Sequence, residues 1–355
     1  MSKPPAADAP APRPGLAAEL IAWFDRSARD LPWRTNRTGY RVWVSEIMLQ
    51  QTRVSTVIPY YERFLAAFPT LRDLAAADIE QVLALWSGLG YYRRARGLHE
   101  GARDVVARFQ GELPADVEQL LSIKGIGPYT AGAIASLAFG IQTPLVDGNV
   151  IRVLARLFAI QEDARQARVQ KQIWALAGSL VPQDRPGAFN EALMELGATT
   201  CLPQQPLCLL CPLAPRCDAH RLGLAASLPL LAPPRAPTLV HAASLVARRE
   251  RQILLGRRRP DALFGGLWEP PTVEASSPDE AADLLARFAS RPAPAGEVQH
   301  TLSHRKMRVA VFTGDPAPQP GYPPVYDEVR WVQEGDLHLY GISTLAKKLM
   351  KKGGA

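Results

Sequence analysis

The stretch from Ser122 to Arg152 constrains this chain more than any other. It reads Ser-Ile-Lys-Gly-Ile-Gly-Pro-Tyr-Thr-Ala-Gly-Ala-Ile, continues through a small apolar run, and ends in Pro-Leu-Val-Asp-Gly-Asn-Val-Ile-Arg. Gly125 and Gly127 fall between two helical patterns, at a turn where positive φ and close backbone approach carry no Cβ strain. A helix starting near Pro128 aims bare N–H groups and a positive dipole end outward, which suits a phosphate without reading base sequence. Further on, Asp147 stands where another helix, Asn149 to Phe158, begins. Taken singly, Asp147 is an N-cap and Gly-Ile-Gly a tight helix-helix turn. Their conjunction is far more specific than either half.

The charge-free run from Gly125 to Val146 has the length of a membrane span, but Gly, Pro, Thr and Gln punctuate it. It reads as buried helices of a soluble protein, so no membrane is expected. No charged-then-apolar leader opens the chain, and residues 1–14 read as a disordered Pro/Ala-rich tail, which makes a cytoplasmic protein the expectation. The 355 residues suffice for two domains, each with its own core. Forty-one Lys and Arg against 34 Asp and Glu leave a net charge of +7, which favours a polyanionic partner. All four cysteines cluster near the middle, unlike those of a secreted disulfide scaffold.

Leu16, Leu20, Ile21 and Phe24 recur at helical spacing, predicting an amphipathic helix that ends before Leu31-Pro32-Trp33-Arg34. From Tyr40 to Phe68 the pattern is helical again, with a break predicted at Pro59. Glu46 lies within its apolar part, in Ser45-Glu46-Ile47-Met48-Leu49-Gln50-Gln51-Thr52. A surface glutamate is the bland alternative. A carboxyl in apolar surroundings instead has a raised pKa and holds a proton near neutrality, as a general acid must. The turn Gly88-Leu89-Gly90-Tyr91-Tyr92-Arg93-Arg94 sets aromatics beside arginines, which fits DNA stacking and phosphate contact as well as a solvated basic helix start.

Cys201, Cys208, Cys211 and Cys217 follow, with six, two and five residues between successive members. Four thiolates that close hold zinc or an iron-sulfur cluster; zinc ribbons bring two close Cys-x-x-Cys pairs, and only Cys208 and Cys211 form one. Residues 222–238 are proline-rich and read as a linker between a helical domain at 15–221 and a second domain at 239–355. There Val240 to Ala247, Gln252 to Gly256, Met307 to Thr313 and Glu328 to Val332 predict strands, and Pro278 to Phe288 and Ile342 to Lys351 predict helices.

In order along the chain, these motifs resemble the MutY-type adenine DNA glycosylases of the helix-hairpin-helix superfamily over nearly the whole length. The resemblance implies an all-α helix-hairpin-helix domain with an iron-sulfur loop, followed by an α+β Nudix-like domain. It implies removal of adenine mispaired with 8-oxoguanine, or with guanine, from double-stranded DNA, by a monomer carrying a 4Fe-4S cluster on Cys201, Cys208, Cys211 and Cys217. By resemblance Glu46 protonates the adenine and handles water, and Asp147 stabilises the sugar cation. Tyr129, Asn149, Glu191 and Arg34 surround or orient them, Gln51 and Tyr91 wedge into the duplex, and Leu49 lies near the extruded base. Gly125 and Gly127 then meet a phosphate, and Ser303 and His304 in Thr301-Leu302-Ser303-His304 meet the 8-oxoguanine.

Three departures matter. Relatives resembling endonuclease III carry a Schiff-base lysine where this chain has Tyr129, so a monofunctional enzyme is expected. Leu302 replaces the family's aromatic, and Leu202-Pro203-Gln204-Gln205-Pro206-Leu207 lacks the basic residues usual between the first two cysteines, so DNA affinity must come from elsewhere. The acidic pattern that holds magnesium in a Nudix hydrolase is missing between Gly265 and Arg291, which makes the second domain a lesion reader. A pyrimidine-lesion glycosylase with lyase action and a non-catalytic DNA-binding iron-sulfur protein are the competing readings.

Overall fold

The computed structural model describes residues 13–232, 236–302, 304–318 and 321–354. The helices are α1 (Leu16–Ser27), α2 (Gly39–Leu49), α3 (Val54–Ala67), α4 (Leu71–Ala76), α5 (Ile79–Leu85), α6 (Arg93–Phe109), α7 (Val117–Leu121), α8 (Pro128–Ala133), α9 (Gly148–Leu157), α10 (Ala167–Leu180), α11 (Pro186–Thr199) and α12 (Asp218–Arg221). Then come β1 (Thr238–Val246), β2 (Arg248–Arg249), β3 (Gln252–Arg258), β4 (Trp268–Glu269), β5 (Thr272–Ala275), α13 (Pro278–Leu285), β6 (Ala289–Thr301), β7 (Arg305–Pro316), β8 (Tyr326–Gln333) and α14 (Thr344–Lys352). The described residues form two compact units, one of those up to 51 with 100–232, the other of 52–99 with those from 236 onward.

In the first unit α1, α9, α10 and α11 enclose a core of Leu16, Leu20, Val150, Leu154, Ile173, Phe189 and Leu193. On α9 the stripe Val150, Val153, Leu154 and Leu157 has the spacing of a single helix face. Between α7 and α8, buried Ile123 and Ile126 anchor the predicted hairpin turn, and Gly125 takes φ +83°. Pro128 is the first residue of α8, which runs on as a π turn over Ile134–Ala138. Two glycines hold the chain before and after Asp147 in place. A Cβ on Gly132 would meet the Pro144 carbonyl oxygen at 2.2 Å, and one on Gly197 would meet the Asn149 Cβ at 2.6 Å.

The break predicted at Pro59 is displaced. It lies at Gln50–Arg53, where Gln51 adopts φ +56°, and Pro59 stays inside α3. The hydrogen bond that Pro59 cannot make would end on Ser55, and both residues are exposed, so water satisfies the freed carbonyl.

The second unit contains two four-stranded sheets. One has the order β5-β1-β7-β6, with β1 and β7 parallel; in the other β3 pairs with β2, β4 and β8. All four predicted strands and both predicted helices are present, with ends moved by a few residues. Strand β6 is absent from the sequence reading because Pro292 and Pro294 interrupt it. The register slips at both prolines, between Ser290 and Ala293 and between Pro294 and Gly296, and the pairing with β7 continues beyond them. The Gly88–Tyr91 turn is fastened to this α+β body: Ser87 Oγ donates to the Ile342 carbonyl at 2.7 Å, and Arg96 to that of Pro260 at 2.8 Å.

Gly132→Ala forces the Pro144 carbonyl away and should cost about 1–3 kcal/mol of unfolding free energy. Gly127 has φ −97° and open space around it, so Gly127→Ala should cost less than about 1 kcal/mol. Chemical denaturation of the two variants checks the contrast.

Candidate active site

Helix α2 buries Tyr40, Val42, Trp43, Val44, Ile47 and Met48, leaving almost no polar face. Glu46 is enclosed with them, 4% exposed. Its Oε2 accepts a hydrogen bond from the Tyr129 hydroxyl, which comes from α8 and also touches Met194 Sδ at 3.5 Å. Burial drives the Glu46 pKa up to about 7, and the charges of Asp147 and Glu191 push the same way; the Tyr129 bond and Arg34 oppose them without prevailing. Glu46 is a carboxyl that keeps its proton into the neutral range.

Asp147 is both an N-cap and a member of this cluster. Its Oδ1 accepts from the Val150 amide at 2.7 Å and its Oδ2 from Asn149 Nδ2 at 2.9 Å. Burial raises its pKa above the ordinary value, and these donors and Arg152, which favour the charged form, oppose that without prevailing. The start of α9 adds its positive end. Asn149 Oδ1 in turn accepts from Arg152 at 2.8 Å, and Arg152 Nε donates to the Cys201 carbonyl at 2.7 Å. A continuous hydrogen-bonded path therefore runs from Asp147 to the first cysteine.

Glu191 and Glu195 lie one turn apart on α11, both buried. Arg34 Nε is 3.5 Å from Glu191 Oε1 and Arg37 2.7 Å from its Oε2. Arg29 grips Glu195 with Nε at 2.7 Å and with a second guanidinium nitrogen at 2.8 Å, and Arg34 reaches the same carboxylate at 2.8 Å. Burial raises both pKa values; at Glu195 the Arg29 and Arg34 bonds outweigh it and leave the group below its ordinary value. Sequence reasoning missed Glu195 and Arg29. The available signal was two glutamates at i and i+4 in an apolar helix, a like-charge spacing that is unfavourable without cations.

Cys201, Cys208, Cys211 and Cys217 are free thiols lining one small cavity of about 30 Å³ beside Arg156. Buried Arg156, also missed, donates to Cys201 Sγ at 3.2 Å and to the carbonyls of Leu202, Pro203 and Leu228. Burial pushes the Cys211 thiol up to about 11, and burial likewise raises Cys217.

Among the remaining predicted residues, Leu49 is half-buried, three residues beyond Glu46 on α2. Gln51 is exposed, and so is Tyr91, whose φ is +51° and whose ring carries the Arg94 guanidinium 5.2 Å from its centroid. Gly125 and Gly127 are both exposed. Leu302 packs against the α+β core, His304 is exposed, and Ser303 lies outside the described residues. The structure thus gathers Glu46, Tyr129, Asp147, Asn149, Glu191 and Arg34 into one unit.

Residues 44–178 match the family model of HhH-GPD superfamily base excision DNA repair proteins, and residues 242–352 match that of the NUDIX domain. The chain is 40% identical to the adenine DNA glycosylase of Homo sapiens, over 94% of this chain and 72% of the relative. It is 33% identical to that of Schizosaccharomyces pombe, over 93% and 87% respectively. A thermostable thymine-DNA glycosylase of known structure superimposes with a TM-score of 0.54 at 29% identity, covering 58% of this chain and 95% of that one. No helix among the described residues is long and apolar enough to cross a membrane.

The raised pKa of Glu46 also bears on stability. Since the folded value exceeds the unfolded one, stability is lost as pH rises from the unfolded value towards about 7. Glu46→Gln escapes that loss, so its advantage over the natural protein should be small at pH 5 and approach about 3 kcal/mol at pH 8. Denaturant melts at the two pH values measure it.

Proposed function

Since the chain belongs to the adenine DNA glycosylases, base excision repair enzymes that hydrolyse an N-glycosyl bond, we propose that it removes adenine opposite 8-oxoguanine, or guanine, with Glu46 as the acid. The observation that carries this is a buried carboxyl with a pKa of about 7, bonded to Tyr129 and within the field of Asp147.

Adenine is a poor leaving anion, so its departure requires protonation. Neutral Glu46 gives its proton to N7, the C1′–N9 bond breaks with its electron pair passing to the base, and the sugar becomes an oxocarbenium ion. Asp147, whose pKa burial raises against the opposing bonds from Val150 and Asn149 and the α9 dipole, faces that cation. Water then adds to C1′ and its proton returns to Glu46. Tyr129 orients the Glu46 carboxyl, and Arg34, fixed by Glu195, holds Glu191 toward the base. Tyr129 offers no amine for a Schiff base, which supports base release without strand nicking.

The target base must leave the stack, at a cost of a few kcal/mol that a mispair lowers. Gln51 and Tyr91 would fill the gap, Leu49 would border the extruded adenine, and Gly125 and Gly127 would meet a phosphate. His304 with Ser303 would read the opposite base, and Leu302, turned into the core, would stiffen their loop rather than wedge. We also propose the domain division at 15–221, 222–238 and 239–355.

The cysteine set fits a 4Fe-4S cluster. Four thiols line one cavity, the number of cysteine donors such a cluster takes. Bound there, the group would hold the four thiolates together and neutralise their charge. Arg156 donates to the Cys201 sulfur and to the Leu202 carbonyl and so braces the loop from outside.

Single-turnover reaction of a duplex with adenine opposite 8-oxoguanine should give strand breaks only after hot alkali, faster than with guanine opposite. Glu46→Gln should lower the rate by about 10²-fold or more. Breaks without alkali would put a lyase in its place; no adenine release from folded, cluster-loaded protein would end the proposal.

The rate should fall above about pH 7, because only protonated Glu46 can donate. Tyr129→Phe removes a bond that favours the ionised carboxylate and should shift this alkaline limb to higher pH. A pH profile of the chemical step distinguishes the shift from a simple loss of rate.

A further inference from the structure

The cluster loop carries no basic residue between Cys201 and Cys208, so cations that grip the DNA backbone must lie elsewhere. Helix α14 holds four of them. Its sequence Thr-Leu-Ala-Lys-Lys-Leu-Met-Lys-Lys alternates apolar and basic pairs. Leu345, Ala346, Leu349 and Met350 are buried in the α+β core, while Lys347, Lys348, Lys351 and Lys352 are all exposed on the opposite face. Ser343 caps one end by accepting from the Ala346 amide, and Arg248 holds the other through the Met350 and Gly353 carbonyls.

A solvated helix face mixes both signs. This one has none of its lysines paired with a carboxylate among the described residues. Lys347 and Lys351, like Lys348 and Lys352, are like charges at i and i+4, a spacing that weakens the helix. Only the last two gain from the helix dipole.

The lysines also have a direction. Lys347 Nζ lies 3.8 Å from the position a Cβ would take on Gly88, in the turn that carries Tyr91. At the other end the Lys352 stem crosses β6 over Gly296, where a missing Cβ makes room for it. Lys348 lies near enough to His300 for its charge to act on the imidazole, just before the loop of Leu302 and His304. Glu297, the nearest acid on β6, is 3.5 Å from Arg308.

We infer that the lysine face of α14 is a docking surface for the phosphate backbone of duplex DNA, connecting the Tyr91 turn to the β6–β7 loop. The choice of DNA as the polyanion rests on the glycosylase reading. Because the contacts are to phosphates, the surface adds affinity for any duplex and does not itself select the lesion.

The test is a salt titration of binding by the full chain to a short duplex with adenine opposite 8-oxoguanine and to a fully matched one. Wild type is compared with the variant carrying Lys347→Gln, Lys348→Gln, Lys351→Gln and Lys352→Gln together. On both duplexes the slope of log Kd against log salt should fall by about 0.9 for each lysine removed. Four Lys→Arg changes should preserve it. A fall of less than half the expected amount overturns the surface, and so does weaker binding with an unchanged slope. If the glutamine variant does not fold by circular dichroism, the pairs 347/348 and 351/352 are tested separately against the same criterion. Wild type that binds anionic lipid vesicles in place of duplex also overturns it. Adenine release measured on the same samples keeps the two proposals apart: release with an unmoved slope removes only the surface, and a lowered slope without release removes only the glycosylase reading.

Discussion

Desolvation of one carboxyl is the constraint to which the first unit is built. Helix α2 is apolar on nearly every side, so Glu46 has no water to stabilise its charge and resists ionising until about neutrality. Asp147 is half-buried, and it accepts from a helix-start amide and from Asn149. Burial raises the pKa of both, and the division between them lies in hydrogen bonding: both oxygens of Asp147 accept from donors that favour its charge. That division suits a reaction needing a proton donor and a standing negative charge together.

Keeping that division demands that everything nearby stay still. Arg34 is held by Glu195, which Arg29 grips in turn, so the cation facing Glu191 has little freedom. Asp147 is held from behind by Asn149 and Arg152, whose last bond ends on the cysteine loop. Glycines let backbone come close where a side chain would intrude: Gly132 against Pro144, Gly197 against Asn149. The site is precise because its supports are short and mostly fully bonded.

Much of this was legible from residue types and spacing. Glu46 stood out because a charge interrupts an apolar run, and Asp147 because an N-cap residue followed a glycine hairpin. The four cysteines were legible from spacing as a metal-ligating set, and the choice of a cluster over zinc came from the resemblance. What escaped did so for physical reasons. Arg29, Arg156 and Glu195 meet their partners over 166, 45 and 166 positions respectively, and no local pattern encodes such a pairing. Pro59 looked like a break because propensity ignores solvent, which satisfies the carbonyl it frees. The prolines of β6 hid a strand that simply slips register around them.

Gln51 and Tyr91 both hold left-handed backbone without being glycine, a conformation costing of order 1 kcal/mol or more at each. A chain drifting under pressure for thermal robustness alone would exchange them for glycine or asparagine, gaining stability and losing the side chains at the tips of both turns. Whatever those tips do, the molecule carries them as a standing debt of folding energy, and engineering for heat tolerance would endanger them as it would the buried Glu46.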